Sequence, residues 1–167
     1  LMAVSLANGA VVWEGTVALP KGTTELERVA DITSSPVVAG RTICAVAFQG
    51  RVACFDLGSG NLIWARDMSS AVGVAVDARN LFVTDEKSAV HALDLASGAS
   101  LWKQDALSLR RVSAPLLRRG LVVVADVQGV VHFLNREDGA FAARVNTDGN
   151  PVVAPMQALG RNVLVQT

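Results

Sequence analysis

A short pattern recurs along the chain and limits the folds that it can adopt. An Asp, Asn or Ser is followed four residues later by a glycine, and four residues after the glycine stands a tryptophan, replaced by alanine in the last copy. The four glycines are Gly9, Gly60, Gly98 and Gly139, at intervals of 51, 38 and 41 residues. A proline before apolar residues recurs in step, at Pro36, Pro115 and Pro155. Such repetition indicates successive copies of one structural unit.

Each repeat is predicted to form four short strands. In the clearest unit they span residues 36–38, 42–48, 51–56 and 61–64, and in the next 72–76, 81–84, 89–94 and 99–102. Tight turns separate the middle strands, and the glycine of Gln49-Gly50 supplies the positive φ that a hairpin turn needs. The middle strands are apolar on both faces, so both faces must be covered. No segment shows the 3.6-residue period of a helix.

A unit of roughly 40 residues with four antiparallel strands is typical of a β-propeller blade. We therefore predict an all-β chain, a partial ring of about four blades out of an expected eight, within a longer protein. The recurring tryptophan lies on the outermost strand, where we expect it to dock against the neighbouring blade. The predicted units are the end of a blade at 1–14, a long inter-blade loop at 15–33, full blades at 34–66, 71–104 and 113–144, and the start of a blade at 153–167.

Composition excludes several classes of protein. The chain has 15 basic and 15 acidic residues, so it offers no strongly basic surface for nucleic acid or membrane phosphates. A hydrophobic content of 51% is far above that of disordered chains. No apolar stretch approaches the roughly 20 residues of a membrane span. The first residues lack the features of a signal peptide.

One connection between blades is much longer than the fold requires. About six residues lead from Trp64 to the next blade, whereas the connection after Trp13 takes twenty, at 14–33. Long loops on a rigid scaffold often carry recognition. Leu26 and Arg28 in this loop are therefore candidates for partner binding, with a neutral surface insertion as the alternative.

A second long connection spans residues 103–112. It carries Leu107, Leu109 and Arg110 where turn residues would suffice, and leucine with arginine is a mixture expected at protein–protein contacts. Strand parity places both long connections on one face, together with the turns between the middle strands. This face is the predicted binding surface.

The two histidines are predicted to be structural. His91 and His132 each stand three residues before a repeat marker, and equivalent places in successive repeats favour a core or interface role over a metal site. Adjacent carboxylates at 85–86 and 137–138 fall in turns, where solvated acids are common. No nucleophile elbow, phosphate loop or dinucleotide motif is present, so no catalytic site, metal or cofactor is predicted.

The two cysteines flank the Gln49-Gly50 turn. A two-residue turn there would place Cys54 opposite Ala45, so that Cys44 and Cys54 point to opposite faces of the hairpin. We therefore expect two buried thiols, because a disulfide would need a different register.

Repeats that end Asp-Leu-x-Ser-Gly-x-x-x-Trp resemble those of pyrroloquinoline-quinone (PQQ) enzyme propellers. Within that group the chain most closely resembles the BamB family, lipoproteins of the machinery that folds β-barrels into the bacterial outer membrane. The resemblance is carried by residues 28–38, 48–52, 56–60, 113–117 and 131–139. It covers essentially the whole chain, which is similar to the C-terminal half of an eight-bladed ring.

The resemblance implies a non-catalytic scaffold without a cofactor. It implies a protein at the periplasmic face of the outer membrane, held there by an N-terminal lipid outside this chain. The implied partners are the periplasmic POTRA domains of the barrel-inserting subunit BamA, with unfolded outer-membrane proteins as further candidates and no nucleic acid.

The resemblance also implies contact residues. In the family, an acidic pair before a Thr-Thr-Pro-Val-Val run belongs to the BamA contact; here Asp31 occupies its first position and Thr33 its second. The family's other contact is a Leu-x-Leu-Arg loop, and Leu107, Leu109 and Arg110 match its letters in a later blade.

Two alternative functions remain open at this point. The repeat form is shared with PQQ-dependent quinoprotein dehydrogenases, so the chain could belong to such an enzyme, although the residues for quinone and calcium are not recognisable. The other alternative is a propeller that holds a different envelope partner by the same face.

Overall fold

The computed structural model describes residues 1–18 and 31–167, and the regular secondary structure in that part of the chain consists of β-strands. An N-terminal hairpin is formed by β1 (Met2–Val4) and β2 (Val11–Glu14). Blade I comprises β3 (Val37–Ala39), β4 (Thr42–Val46), β5 (Arg51–Asp56) and β6 (Leu62–Asp67). Blade II comprises β7 (Val74–Val76), β8 (Asn80–Thr84), β9 (Val90–Asp94) and β10 (Ser100–Gln104). Blade III comprises β11 (Leu116–Arg118), β12 (Leu121–Ala125), β13 (Val130–Asn135) and β14 (Phe141–Asn146). A C-terminal hairpin follows, with β15 (Gln157–Leu159) and β16 (Asn162–Leu164).

Every sheet is an antiparallel meander in which neighbours in sequence are neighbours in space. The predicted all-β propeller architecture is confirmed, and the described sheets form an open array rather than a closed ring. The outer strands run past the tryptophan, farther than predicted. They do so because their pairing with the third strand continues, as in Arg51 opposite Asp67 and Val90 opposite Gln104.

Among the described residues, the core consists of four apolar layers, each between two successive sheets. Alternate residues of one strand enter different layers: Ile43 and Ala45 of β4 face the N-terminal hairpin, whereas Cys44 and Val46 face blade II. Successive innermost strands contact one another, from β3 to β7, β11 and β15. The blades therefore fan around an axis, which explains why their middle strands are apolar on both faces.

The repeated tryptophan links each of the first three sheets to the sheet that follows it. The indole Nε1–H donates a hydrogen bond to the backbone carbonyl that follows the Asp or Asn of the next repeat: Trp13 to Leu57 (2.9 Å), Trp64 to Leu95 (2.8 Å) and Trp102 to Arg136 (2.7 Å). Each ring also covers the glycine of that next turn. The predicted docking of the tryptophan on the neighbouring blade is confirmed.

Blade III lacks this tryptophan and places its aromatic ring on a different strand. Ala143 occupies the tryptophan position, and its cross-strand partner is Phe133. In blade II the same pair is Trp102 opposite Ala92. Large and small residues have exchanged strands, and Phe133 packs in the layer between blade III and the C-terminal hairpin.

The contact between tryptophan and glycine predicts a position-specific loss of stability. Gly98 has a φ of +71°, and a Cβ atom there would lie 2.6 Å from the Trp64 ring. Gly120 has a similar φ of +78°, but a Cβ atom there would have no neighbour within 4 Å. Both Gly→Ala changes carry about 1 kcal/mol of backbone strain, and Gly98→Ala adds about 1–3 kcal/mol of overpacking. Chemical denaturation of the complete protein should therefore show the larger loss for Gly98→Ala. Equal losses would mean that the indole moves aside freely.

The turn between β4 and β5 corrects the prediction for the cysteines. The last pair before the turn is Ala47 with Arg51, whose backbone groups are hydrogen-bonded at 3.1 Å, so the loop has three residues rather than two. The left-handed residue is Gln49, at φ 50°, and not Gly50. The register therefore shifts by one residue and brings Cys44 opposite Cys54. Their Cα atoms lie 4.1 Å apart and the two residues form a disulfide, so the expectation of two free thiols is wrong.

The disulfide closes a hairpin with a sequence separation of 10 residues. Constraining a loop of that length in the unfolded chain stabilises the fold by about 2–3 kcal/mol. We expect a reductant to lower the denaturation midpoint of the wild-type protein and to leave the Cys44→Ala/Cys54→Ala variant unchanged. Alkylation of both cysteines in unfolded protein that has never met a reductant would contradict the pairing.

Candidate partner-binding surface

The turns between second and third strands and the connections between blades lie together on one face, which we call the loop face. It includes the turns at 47–51, 85–89 and 126–130 and the connections at 68–73 and 105–115. Each connection is hydrogen-bonded to the turns on both sides of it. The amide of Ser70 binds the Ala47 carbonyl of blade I, and the carbonyl of Ser69 accepts from Glu86 of blade II, both at 3.3 Å. The backbone of this face is therefore part of the folded scaffold.

The same arrangement recurs one blade later. The amide of Leu109 donates to the carbonyl of Lys87 at 3.2 Å, and the carbonyl of Arg110 accepts from Val127 at 3.3 Å. The connection thus bridges the turns of blades II and III. The backbone of this connection is therefore held in place although it forms no strand.

Asp31 and Thr33 lie on the loop face beside blade I. The Asp31 carbonyl accepts a hydrogen bond from the Phe48 amide at 2.7 Å, and the Asp31 side chain is exposed. The Thr33 hydroxyl donates to the carbonyl of Ala71 at 2.7 Å. The structure thus places these two predicted site residues beside the 47–51 turn of blade I and the 68–73 connection that follows this blade. The predicted site residues Leu26 and Arg28 lie outside the described residues.

The leucines and arginine of the 105–115 connection have different environments. Leu107 is 1% exposed and packs in the layer between blades II and III. Leu109 is 87% exposed, with a φ of 65° that is rare for a leucine. The Arg110 guanidinium turns inward, with Nε 2.5 Å from Asp126 Oδ2. Of these three residues, Leu109 alone presents its side chain fully to a partner.

A groove of about 600 Å³ opens on the loop face between the inner ends of the blades. Its walls are mainly apolar, with charged side chains at the turn of blade II and on the 105–115 connection; they include Phe48, Val72, Val112, Val153, Pro155, Asp85, Glu86 and Arg111. Sequence reasoning did not identify this groove. The available signal was the proline marker, since Pro155 and the residues just before it line the groove and lead into the innermost strand β15.

Each of blades II and III carries an aspartate bonded to a histidine. His132 Nε2 lies 2.8 Å from Asp126 Oδ2, and His91 Nε2 lies 2.8 Å from Asp85 Oδ2. Both carboxylates also accept backbone amides of their own turns. The histidines thus hold the second-to-third-strand turns, which agrees with the predicted structural role.

Charges around the buried pair in blade III shift its pKa values. Burial alone would raise the pKa of Asp126, but hydrogen bonds from His132, Arg110 and backbone amides outweigh it and hold the pKa below its ordinary value. Burial lowers the pKa of His132, and this effect exceeds the opposing attraction of the Asp126 carboxylate. At neutral pH the pair is therefore an ionised Asp126 that accepts a hydrogen bond from a neutral His132.

Neither a cluster of metal ligands nor a membrane-spanning helix is found in the described part of the chain. No cluster of three or more His, Cys, Asp or Glu side chains stands there that could hold a metal ion. A helix long and apolar enough to cross a membrane is likewise not found among residues 1–18 and 31–167.

The radial blades, the PQQ-like repeat and the tryptophan contacts define a β-propeller of the quinoprotein-like class. A family profile described as outer membrane protein assembly factor BamB matches residues 1–104, which is more than half of the chain. The chain therefore belongs to the BamB family.

Individual relatives agree with this assignment. The chain is 47% identical over 168 aligned residues to the outer membrane protein assembly factor BamB of Bordetella pertussis; the match covers all of this chain and 44% of the relative. The crystal structure of BamB from Moraxella catarrhalis superposes with a TM-score of 0.90 at 26% identity, over 99% of this chain and 49% of that one. The chain thus spans less than half of these relatives.

Quinoprotein dehydrogenases share the fold at a greater distance. The quinohemoprotein alcohol dehydrogenase of Comamonas testosteroni gives a TM-score of 0.63 at 20% identity, over 81% of this chain and 22% of the enzyme. A likeness at this level of identity shows a common blade architecture alone.

The two leucines of the 105–115 connection should respond differently to truncation. Leu107→Ala removes a buried side chain and should lower the free energy of unfolding by about 2–4 kcal/mol. Leu109→Ala removes an exposed one and should change it by less than about 0.5 kcal/mol. Denaturation of the two variants of the complete protein measures both values. A large loss for Leu109→Ala would show that this side chain is packed in the complete protein.

Proposed function

We propose that this chain is part of a binding subunit of the outer-membrane protein assembly machinery, and that its loop face docks POTRA domains of BamA. Membership of the BamB family supports the machinery, since relatives are named outer membrane protein assembly factors. The observation that supports this docking surface is that the loop face presents both an exposed leucine, Leu109, and an exposed acid, Asp31, on a hydrogen-bonded backbone. Folding client proteins are further candidates for the apolar groove.

Leu109 has the properties of an interface anchor. The residue sits in a left-handed conformation that costs about 1 kcal/mol or more for a non-glycine residue, and such strain is found at ligand contacts. Its backbone is held by the bond to Lys87 and by the buried Leu107 two residues earlier. A backbone that is fixed before binding loses little entropy on association.

Asp31 supplies the charge next to blade I. The family's second acidic position holds Thr33, and its hydroxyl is engaged by the Ala71 carbonyl, so Asp31 carries the negative charge at that point of the contact. An exposed carboxylate on the rim of an interface fits a basic group of the partner and steers the encounter. Exposed Glu86, at the neighbouring turn, extends the acidic character along the same face.

The proposed role is binding rather than catalysis. The most deeply placed acids of the loop face, Asp85 and Asp126, are engaged by histidines and by the amides of their own turns. These contacts make them structural groups of the blade. The proposal includes no cofactor and no chemical step.

The proposed location is the periplasmic face of the outer membrane, with the lipid anchor in a part of the protein outside this chain. The Cys44–Cys54 disulfide supports it, because disulfides persist in oxidising compartments such as the periplasm. The names of the relatives point to the outer membrane as well.

A charge reversal tests the docking surface. We expect Asp31→Lys to weaken binding of the complete protein to isolated POTRA domains about 30-fold, or about 2 kcal/mol, because a rim charge would then repel its partner. Asp138→Lys is the matched control: Asp138 is exposed in the turn between β13 and β14, on the opposite face. Calorimetry measures both affinities. Equal affinities for wild type and Asp31→Lys would remove Asp31 from the interface.

A further inference from the structure

A pocket of about 260 Å³ lies between the 105–115 connection and the face of blade III that is turned towards blade II. We call it the interblade pocket, and its lining residues are Ala106, Leu107, Arg110, Val130, His132, Arg144 and Asn146. We propose that the interblade pocket binds a small oxyanion, a carboxylate or a phosphate. This inference is independent of the proposed contact with POTRA domains.

Strand register brings the polar lining together. Arg144 of β14 stands opposite His132 of β13, and Asn146 stands opposite Val130, so all four side chains project from the same face of blade III. Arg110 enters from the connection. The pocket thus has two guanidinium groups and one carboxamide around its buried imidazole, a donor set suited to oxyanions.

His132, which lines this pocket, has a ring nitrogen without a hydrogen-bond partner among the described residues. The residue is 2% exposed, its Nε2 is engaged by Asp126, and its Nδ1 has no hydrogen-bond partner among the described residues. A buried polar atom without a partner costs about 1–3 kcal/mol. A ligand that hydrogen-bonds Nδ1 recovers that cost, which makes the atom a point of attachment.

Arg144 provides the positive charge for the ligand. Its guanidinium lies over the Phe141 ring, with Cζ 4.1 Å from the centroid, and it forms no ion pair with the described residues. Arg110, by contrast, is paired with Asp126. Arg144 is exposed, so the pocket is accessible from solvent on that side. A cation without an ion pair among the described residues therefore lines the same pocket as the imidazole and lies directly across the strands from it.

The preceding blades show that this arrangement is particular to blade III. In blade II the equivalent residues are Asp85, His91 and Lys103, but Lys103 is already paired with Asp105 at 3.3 Å. Blade I has alanine at all three places: Ala47, Ala53 and Ala65. Among these three blades, the uncompensated cation and the orphaned nitrogen coincide in blade III alone.

Binding of an oxyanion here is coupled to protonation of His132. With Nε2–H donated to Asp126, the neutral ring has a lone pair at Nδ1, whereas the protonated ring has an N–H that can donate to the anion. Burial, Arg110 and Arg144 lower the pKa of the free ring, and Asp126 raises it. A bound anion adds a second negative charge and raises that pKa. Affinity therefore increases as the pH falls from 8 towards 6, by at most about tenfold for each pH unit.

The test is an NMR titration of the histidine rings in the complete protein, labelled with ¹⁵N-histidine. The His132 signals are assigned by their loss in His132→Gln. Titrations from pH 8 to pH 5 are run in chloride, in acetate and in inorganic phosphate at one ionic strength. We expect acetate or phosphate to raise the apparent pKa of His132 by about one unit, which is a tenfold difference in anion affinity between the two ring states.

Two matched variants separate the pocket from a general salt effect. Arg144→Gln should abolish the shift, whereas Lys103→Gln, at the equivalent position of blade II, should keep it; both side chains lie on outer strands. A rise in the His132 pKa in acetate alone assigns a carboxylate ligand, and a rise in phosphate alone assigns a phosphate. Each of these results, and a rise in both anions, supports the site. No shift in either anion, or a shift that survives Arg144→Gln, would overturn the proposal. Circular dichroism of each variant confirms that it is folded.

Discussion

The contact between each tryptophan and the next repeat is the constraint on which the architecture depends. The indole donates to a backbone carbonyl and covers a glycine, so a sheet cannot shift along its neighbour without losing both interactions. Arg66 and Gln104, two residues beyond their tryptophans, add bonds to the carbonyls of Gly98 and Gly139. Each blade is thereby fixed at its outer end, while apolar layers join it to its neighbours nearer the axis. The sheets therefore follow one another around the axis in the order in which they occur in the sequence.

Fixed blades give the loop face its rigidity. Because the connections at 68–73 and 105–115 are each bonded to the turns of two blades, a segment without strand structure can hold Leu107 inward and Leu109 outward at the cost of a left-handed backbone. The same scaffold presents Asp31 beside the first turn. Recognition is thus placed on loops whose positions are set by the propeller, and the fold itself needs none of these side chains for its core except Leu107.

Because the blades are repeats, equivalent positions can carry different functional side chains without any change in the fold. The sites that hold three alanines in blade I hold an acid, a histidine and a cation in blades II and III. In blade II, Lys103 forms an ion pair with Asp105 at the end of the same strand. In blade III, Arg144 has no such partner among the described residues and lines the pocket together with His132. The backbone register is the same in all three, so the difference between a packed interface and a candidate ligand site lies in side chains alone.

The sequence by itself determined the class of fold, because a repeat of about 40 residues with apolar middle strands and a tryptophan on the outer strand is satisfied only by stacked four-stranded blades. Tertiary structure decided whatever depends on one-residue differences. A turn of three residues in place of two made Cys44 the partner of Cys54, because successive side chains of a strand point to opposite faces. Tertiary structure likewise decided that Leu107 is buried and Leu109 exposed, because the burial of a residue in a connection depends on the two blades that the connection joins. No local pattern contains that information.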